Sequence, residues 1–279
     1  MTSSFQTNIE PHIPWLAGVL QGHGSFGVNF KETTSSPYSY ISVQLVDQEL
    51  LSYIAFLFDS NVSMSQSSQH PEWQPLARTT LLQKDKLAWL MPHLLPYLSP
   101  QKQTQVQQTA MTPYLFDKTK SLFASSSLPE PHAKENYTND LKILSESEAQ
   151  WLTGFMEARG HIHFDRRSTI PSPGVVIKSS EKDLIAYVSL LLNQPYTEQH
   201  LPKSPVEWKV SVKARPHVAA LLPQLLHHCH GSHLPNKIHE AMTACQDYET
   251  WKALPTKNRP TMWPQRKPKK RSDTETRGL

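Results

Sequence analysis

The stretch Trp15-Leu16-Ala17-Gly18-Val19-Leu20-Gln21-Gly22-His23-Gly24 decides how the rest of the chain is read. Its apolar run predicts a short helix from about Ile13 to Gln21. Pro14 stands in the first turn, where a missing N–H is harmless, and Gly22 and Gly24 act as the stop. The pattern returns at Trp151-Leu152-Thr153-Gly154-Phe155-Met156-Glu157-Ala158-Arg159-Gly160, with Trp, Leu and two glycines at matching places. The eighth position, counted from Leu16 and Leu152, is His23 in one copy and Arg159 in the other.

Moving outward, residues 1–12 read as a polar lead-in. After the first motif, Ser25 to Phe30 and Tyr38 to Val46 read as strands about a turn at Glu32 to Pro37. The second strand alternates Tyr40, Ser42 and Gln44 with Ile41, Val43 and Leu45. Asp47 is placed to cap a helix through Phe58. Short strands at Asn61 to Ser67 and Glu72 to Leu81 lead to an amphipathic helix, Lys84 to Leu98, that contains Pro92, and residues 100–115 continue as a Gln-rich helix. Lys118 to Asn139, with its serine run and Pro129-Glu130-Pro131, reads as linker. The second half repeats the order: a helix from Ser145 or Ser147 to about Arg159, strands at His161 to Arg166 and Gly174 to Ser179, and a helix at Glu181 to Asn193. Strands at Tyr196 to Leu201 and Val206 to Lys213 follow, then helices at His217 to His228 and Lys237 to Trp251.

The duplication holds away from the motif. Leu87 to Leu95 lines up with Val218 to Leu226, and Pro92 falls on Pro223. Gln44 and Lys178 each precede a leucine by six residues, Leu50 and Leu184. Trp73 and Trp208 are each followed five residues later by a base, Arg78 and Lys213. Matches in one order imply two copies of a helix–strand–strand–helix–strand–strand–helix unit, at 13–115 and 147–255, joined by a linker at 116–146 and followed by a tail at 256–279.

Charge narrows the partner classes. The net charge is +4, but the tail holds eight of the 28 Lys and Arg against Asp273 and Glu275. The body is therefore slightly acidic, and a nucleic-acid partner requires basic groups gathered on one face. The two cysteines, Cys229 and Cys245, make no disulfide scaffold and fit a reducing compartment, bacterial cytoplasm or organelle. No run approaches the length of a membrane span, and no secretory leader pattern is present.

The motif pair resembles the LAGLIDADG homing endonucleases in their single-chain, two-motif form. WLAGVLQGHGSF and WLTGFMEARGHI carry the likeness, together with the order of elements after each. The resemblance implies an α+β fold, a pseudo-symmetric duplication of two αββαββα units with the motif helices packed at the centre. It also implies a monomer whose sheets form a saddle over DNA. Gly18 and Gly154, lacking a Cβ, suit close approach of the two helices. The family's chemistry is metal-assisted phosphodiester hydrolysis, with one carboxylate at the end of each motif helix to hold Mg²⁺. Here those positions are His23 and Arg159. Imidazole suits Mg²⁺ poorly, and a guanidinium offers a metal no lone pair. No cofactor is expected, or Mg²⁺ if cleavage is retained. Glu157, two residues before Arg159, points elsewhere on a helix. A cation near a helix C-terminus is favoured by about 0.3–1 kcal/mol, so His23 and Arg159 are candidates for direct counter-charge to a phosphate backbone. The plainer reading makes them relics.

Gln44, Arg78, Lys178 and Lys213 fall on strands that resemble the family's DNA-facing sheet, and their types suit base edges and phosphates. The alternative is a solvated strand face. His227-His228-Cys229-His230 with His233 invites a zinc reading, but it lacks a paired ligand framework. The tail, with Trp263 among its bases, suits disorder and phosphate contact, or solubility alone. Three functions compete: a DNA- or intron-RNA-binding protein that has lost cleavage and serves splicing or regulation; an endonuclease with an unusual site; and a structural or partner-binding module without nucleic acid.

Overall fold

The computed structural model describes residues 4–29, 37–65, 75–110, 142–166, 170–200 and 206–255. The expected polar lead-in is instead a helix, α1 (Ser4–Ile9), followed by a 3-10 turn (Glu10–His12). The cause is the pair Phe5 and Ile9, which share one face of a helix and are both buried. Tertiary packing, not propensity, supports so short a helix.

The first unit continues with α2 (Ile13–His23), β1 (Gly24–Asn29), β2 (Tyr38–Leu45), α3 (Gln48–Phe58), β3 (Val62–Ser65), β4 (Leu76–Leu81), α4 (Lys84–Leu94) and α5 (Pro100–Ala110). The second has α6 (Glu146–Arg159), β5 (His161–Asp165), β6 (Ser172–Ser179), α7 (Lys182–Leu192), β7 (Tyr196–Gln199), β8 (Glu207–Val212), α8 (Arg215–Leu226) and α9 (His233–Ala253). Local chemistry sets the boundaries. The Asp47 carboxylate accepts from the Leu50 N–H at 3.0 Å to start α3. Ser145 and Glu148 form a reciprocal capping box at the start of α6. α3 and α7 end alike, with Asp59 and Asn193 in left-handed backbone. Pro92 and Pro223 lie inside α4 and α8, as the repeat requires.

Each unit builds a four-stranded antiparallel sheet with the same crossover, β1-β2-β4-β3 and β5-β6-β8-β7. In the first, Ile41, Val43, Leu45, Ala77 and Leu81 are buried toward the helices, and Gln44 and Arg78 stand on the open face. The second buries Val175, Ile177, Val210 and Val212 the same way. The chain is thus an α+β pseudo-symmetric duplication.

The register also corrects one match made from sequence. Gln44 pairs with Arg78, and its counterpart Lys178 pairs with Lys209. Arg78 is therefore equivalent to Lys209, not to Lys213. Arg78 and Lys209 each stand fourteen residues before the helix proline, so the spacing that matches Pro92 with Pro223 matches them too. Trp208 pairs with Ser179 in the position that Ala77 fills opposite Leu45; Trp73 lies outside the described residues.

One cross-strand pair is swapped between the units. Gly27 faces Tyr40 on β1 and β2, whereas His163 faces Gly174 on β5 and β6. A Cβ on Gly27 would lie 2.7 Å from the Tyr40 hydroxyl, and one on Gly174 would strike the His163 ring. Each ring lies across a bare backbone, and the two units place ring and glycine on opposite strands.

At the centre α2 and α6 pack along their length. A Cβ on Gly18 would overlap the Trp151 carbonyl oxygen, and one on Gly154 would overlap that of Trp15. The helices meet backbone to backbone at these two points. Trp15, Leu16, Trp151 and Phe155 are buried around them. Among the described residues no helix is long and apolar enough to cross a membrane.

Candidate nucleic-acid interface

The motif glycines do not stop their helices in left-handed backbone, as a C-terminal glycine cap would. Gly24 and Gly160 are extended, at φ −75° and −72°, and α2 and α6 run straight into β1 and β5. The two helix C-termini therefore lie at the seam where both sheets begin. Gly22 makes room there, since a Cβ would come 2.6 Å from that of Ala158.

Three basic side chains, His23, Arg159 and Lys102, gather at this seam. His23 donates to the backbone carbonyl of Ala158. Burial holds its pKa below the usual imidazole value, and the charges of Arg159 and Lys102 add to the effect. Lys102, from α5, donates to the Gly24 carbonyl at 2.5 Å. Burial lowers its pKa too, with Glu181 opposing and Arg159 assisting. Sequence reasoning missed Lys102, because a lone lysine in a Gln-rich helix carries no pattern; its role comes from where α5 ends up.

Three carboxylates flank the helix pair, and each is engaged. Glu157 accepts from Trp15 Nε1 at 2.7 Å and from the His230 and Gly231 N–H groups at 2.9 and 2.7 Å, which ties α6 to the first unit and to the loop before α9. Burial raises its pKa. Glu181 accepts from Ser99 at 2.5 Å, and the same Ser99 contacts Gln21. Asp47 caps α3 and accepts from His233 N. These ties are pseudo-symmetric: Gln21, Ser99 and Glu181 in one cluster correspond to Glu157, His230 and Asp47 in the other. A hard divalent cation needs oxygen donors, and the helix ends offer imidazole, guanidinium and ammonium. The donor set does not fit the Mg²⁺ that the resemblance implies.

The sheet faces carry the remaining candidates. On the first, Gln44 is exposed beside Arg78, and Arg78 Nη2 donates to Ser42 Oγ at 3.3 Å. On the second, Lys178 stands opposite Lys209, with Glu207 at 3.4 Å from Lys178. Lys213 lies one residue beyond β8 on the same face. Burial lowers the pKa of His163, and His161, Lys209 and Lys213 contribute further positive charge.

The histidine cluster after α8 does not converge. His230 stacks on Tyr53 at 4.1 Å between centroids, His228 lies 3.7 Å from Glu146, and Cys229 Sγ donates to the Leu225 carbonyl. Among the described residues no three His, Cys, Asp or Glu side chains form a metal-holding group. Residues 116–141 of the linker expected at 116–146, and the whole tail at 256–279, lie outside the described residues.

No family model and no curated protein matches the chain. Solved structures do. The LAGLIDADG meganuclease I-AabMI bound to uncleaved DNA matches with a TM-score of 0.59 at 18% identity, over 85% of this chain and 91% of that one. The LAGLIDADG homing endonuclease I-LtrWI bound to target DNA matches with a TM-score of 0.55 at 18% identity, over 87% and 92%. I-GzeII in complex with its DNA target gives 0.54 at 14%, over 88% and 93%.

Proposed function

We propose that this chain, which has the LAGLIDADG homing-endonuclease fold, is a nucleic-acid-binding protein that grips duplex DNA across its two sheets and does not hydrolyse it by the metal route. The observation that carries the reading is the helix seam. His23, Arg159 and Lys102 meet where the resembled family sets two carboxylates, and the nearby acids are already engaged by Trp15, Ser99 and backbone N–H groups. In the resembled family, metal ions offset phosphate charge. Here the Arg159 guanidinium and the Lys102 ammonium meet a phosphate oxygen directly, through charge-assisted hydrogen bonds. The solved structures of the same fold are DNA complexes, which supports duplex DNA as the partner. Binding without cutting suits a regulatory or splicing role.

The test is a mobility shift with duplex DNA and with structured RNA, at several salt concentrations, in Mg²⁺ and in EDTA. Binding of duplex DNA that weakens steeply with salt, is unaffected by EDTA and leaves the strands intact is the expected result. Strand breaks that depend on Mg²⁺ would make the protein an endonuclease. Tighter binding to RNA would change the partner, and no binding at low salt would leave a module without a nucleic-acid ligand.

A further inference from the structure

The two sheets have one architecture but different open faces, and the register allows them to be compared position by position. The row Gln44–Arg78–Ser63 of the first sheet corresponds to Lys178–Lys209–Thr197 of the second. Ser25–Ser42–Thr80 corresponds to His161–Val176–Ser211. Gly27–Tyr40 corresponds to His163–Gly174, and beyond the last strand of each sheet Leu82 corresponds to Lys213.

The first face is built from hydroxyls, the amides of Asn29 and Gln44, one guanidinium and exposed Val46, Leu76 and Leu82; among the described residues Arg78 is its sole charge. The second face carries Lys178, Lys209, Lys213, His161 and His163 against Glu207 and Asp165. Lys178 and Lys209 stand directly opposite one another, an arrangement that disfavours the folded sheet when nothing lies between the charges. Glu207 reaches only one of them, at 3.4 Å. Burial, and after it the charges of His161, Lys209 and Lys213, lower the pKa of His163. A polyanion laid along this face relieves the repulsion.

Resting on the nucleic-acid reading above, we infer that the two sheets divide recognition: Lys178, Lys209 and Lys213 hold backbone phosphates, while the Gln44–Arg78 pair reads base edges. The chemistry of each pair favours its task. Lysine lacks arginine's planar fork and binds phosphate as a compact point charge on a flexible stem. Glutamine presents a donor and an acceptor together, as adenine requires, and arginine offers two parallel donors, as guanine requires. Phosphate contacts set affinity and salt dependence, whereas base contacts set preference. One half of the target is then held tightly whatever its sequence, and the other half is discriminated.

Two variants of the full chain test this: Lys178→Gln/Lys209→Gln/Lys213→Gln, and Gln44→Ala/Arg78→Ala. All five positions are partly or fully exposed, and circular dichroism and thermal melting verify that both variants fold. Binding is measured by fluorescence anisotropy on duplexes over a salt series, and preference by selection from a randomised duplex library. The lysine variant should lose about 2 to 3 from the log–log salt slope, at about 0.9 per phosphate contact, with every duplex weakened equally and the selected consensus unchanged. The Gln44/Arg78 variant should keep its slope to within about one contact and lose consensus at a few adjacent positions in one half-site. An unchanged slope in the lysine variant overturns the division, as does equal loss of consensus in both variants. Failure of the unaltered protein to bind any duplex would instead sink the nucleic-acid reading itself.

Discussion

His230 shows how one side chain can link the two units and make their union sensitive to acid. Its ring stacks on Tyr53 at 4.1 Å and meets His12 at 5.3 Å and Trp15 at 4.7 Å between centroids. His12 bonds the Tyr53 hydroxyl at 3.1 Å, so a loop of the second unit is closed over the entry to α2. Burial, with the charges of His12 and His228, lowers the His230 pKa to about 4. The unfolded chain titrates near about 6.5. Between those values the unfolded state binds more protons, so the stability that depends on neutral His230 is complete above about pH 6.5 and is lost as the pH falls toward 4. His12, lowered by its own burial, acts in the same direction, while Glu157, whose pKa is raised, acts in the opposite one. Replacing His230 with Phe keeps a ring against Tyr53 and removes the titration. Urea midpoints measured from pH 7 to 4 should fall less steeply in His230→Phe than in the unaltered protein; identical acid limbs would show that this ring contributes nothing to the pH dependence. None of this was legible in the sequence, where His230 read as one of a run of metal-ligand candidates. A run of histidines does not record which way each ring turns, and here tertiary packing turns them apart.

The helix pair is where sequence and structure agree most closely, and the reason is physical. Close contact of two helix backbones needs glycine at the crossing, so Gly18 and Gly154 leave a readable mark. A methyl group on Gly18 would overlap the Trp151 carbonyl oxygen and reach Phe155 N, both rigid backbone. Gly18→Ala should therefore cost at least the upper end of the about 1–3 kcal/mol typical of overpacking. Gly22→Ala, which meets chiefly the Ala158 methyl at 2.6 Å, should cost less. Chemical denaturation reads both, and a Gly18→Ala midpoint equal to that of the unaltered protein would mean that the crossing can open. Helix starts were legible for a similar reason, since Asp47 and Ser145 cap with their own side chains. The strand register was not. Matching Trp73 with Trp208 assigned Arg78 to Lys213 and hid Lys209, because the segments between strands differ in length while the spacing back from the helix prolines does not. A register slip that leaves a residue on the same face of a sheet changes its neighbours without disturbing the alternation of apolar residues, so the pattern alone could not reveal it.

At the scale of the whole molecule, the duplication is kept in the core and abandoned at the seam. The two sheets share one order, α3 and α7 end in the same left-handed turn, and Gly18 and Gly154 meet in reciprocal contacts. At the seam the equivalent positions differ in type: Gln21 is the counterpart of Glu157, Lys102 of His233 and His23 of Arg159. A site that held a pair of equivalent ions would keep equivalent ligands, and this seam does not. The change can be reversed to test it. His23→Asp with Arg159→Glu would put two carboxylates at the helix C-termini, where mutual repulsion and the helix dipoles disfavour them. The metal-free double variant should accordingly melt below the unaltered protein. Ca²⁺, a hard cation for which two carboxylates are suitable ligands, should then stabilise it in proportion to the logarithm of concentration, by about 2.7 kcal/mol at one hundred times the dissociation constant, and so raise its melting temperature. The unaltered protein, with His23, Arg159 and Lys102 at the same place, should not respond. DNA affinity should follow the same pattern, with the double variant weak in EDTA and recovering in Ca²⁺ while the unaltered protein binds equally in both. A Ca²⁺-dependent melting shift in the unaltered protein as large as in the variant would mean that cations reach this seam despite its charge, and the reading of the seam as a direct phosphate counter-charge would fail.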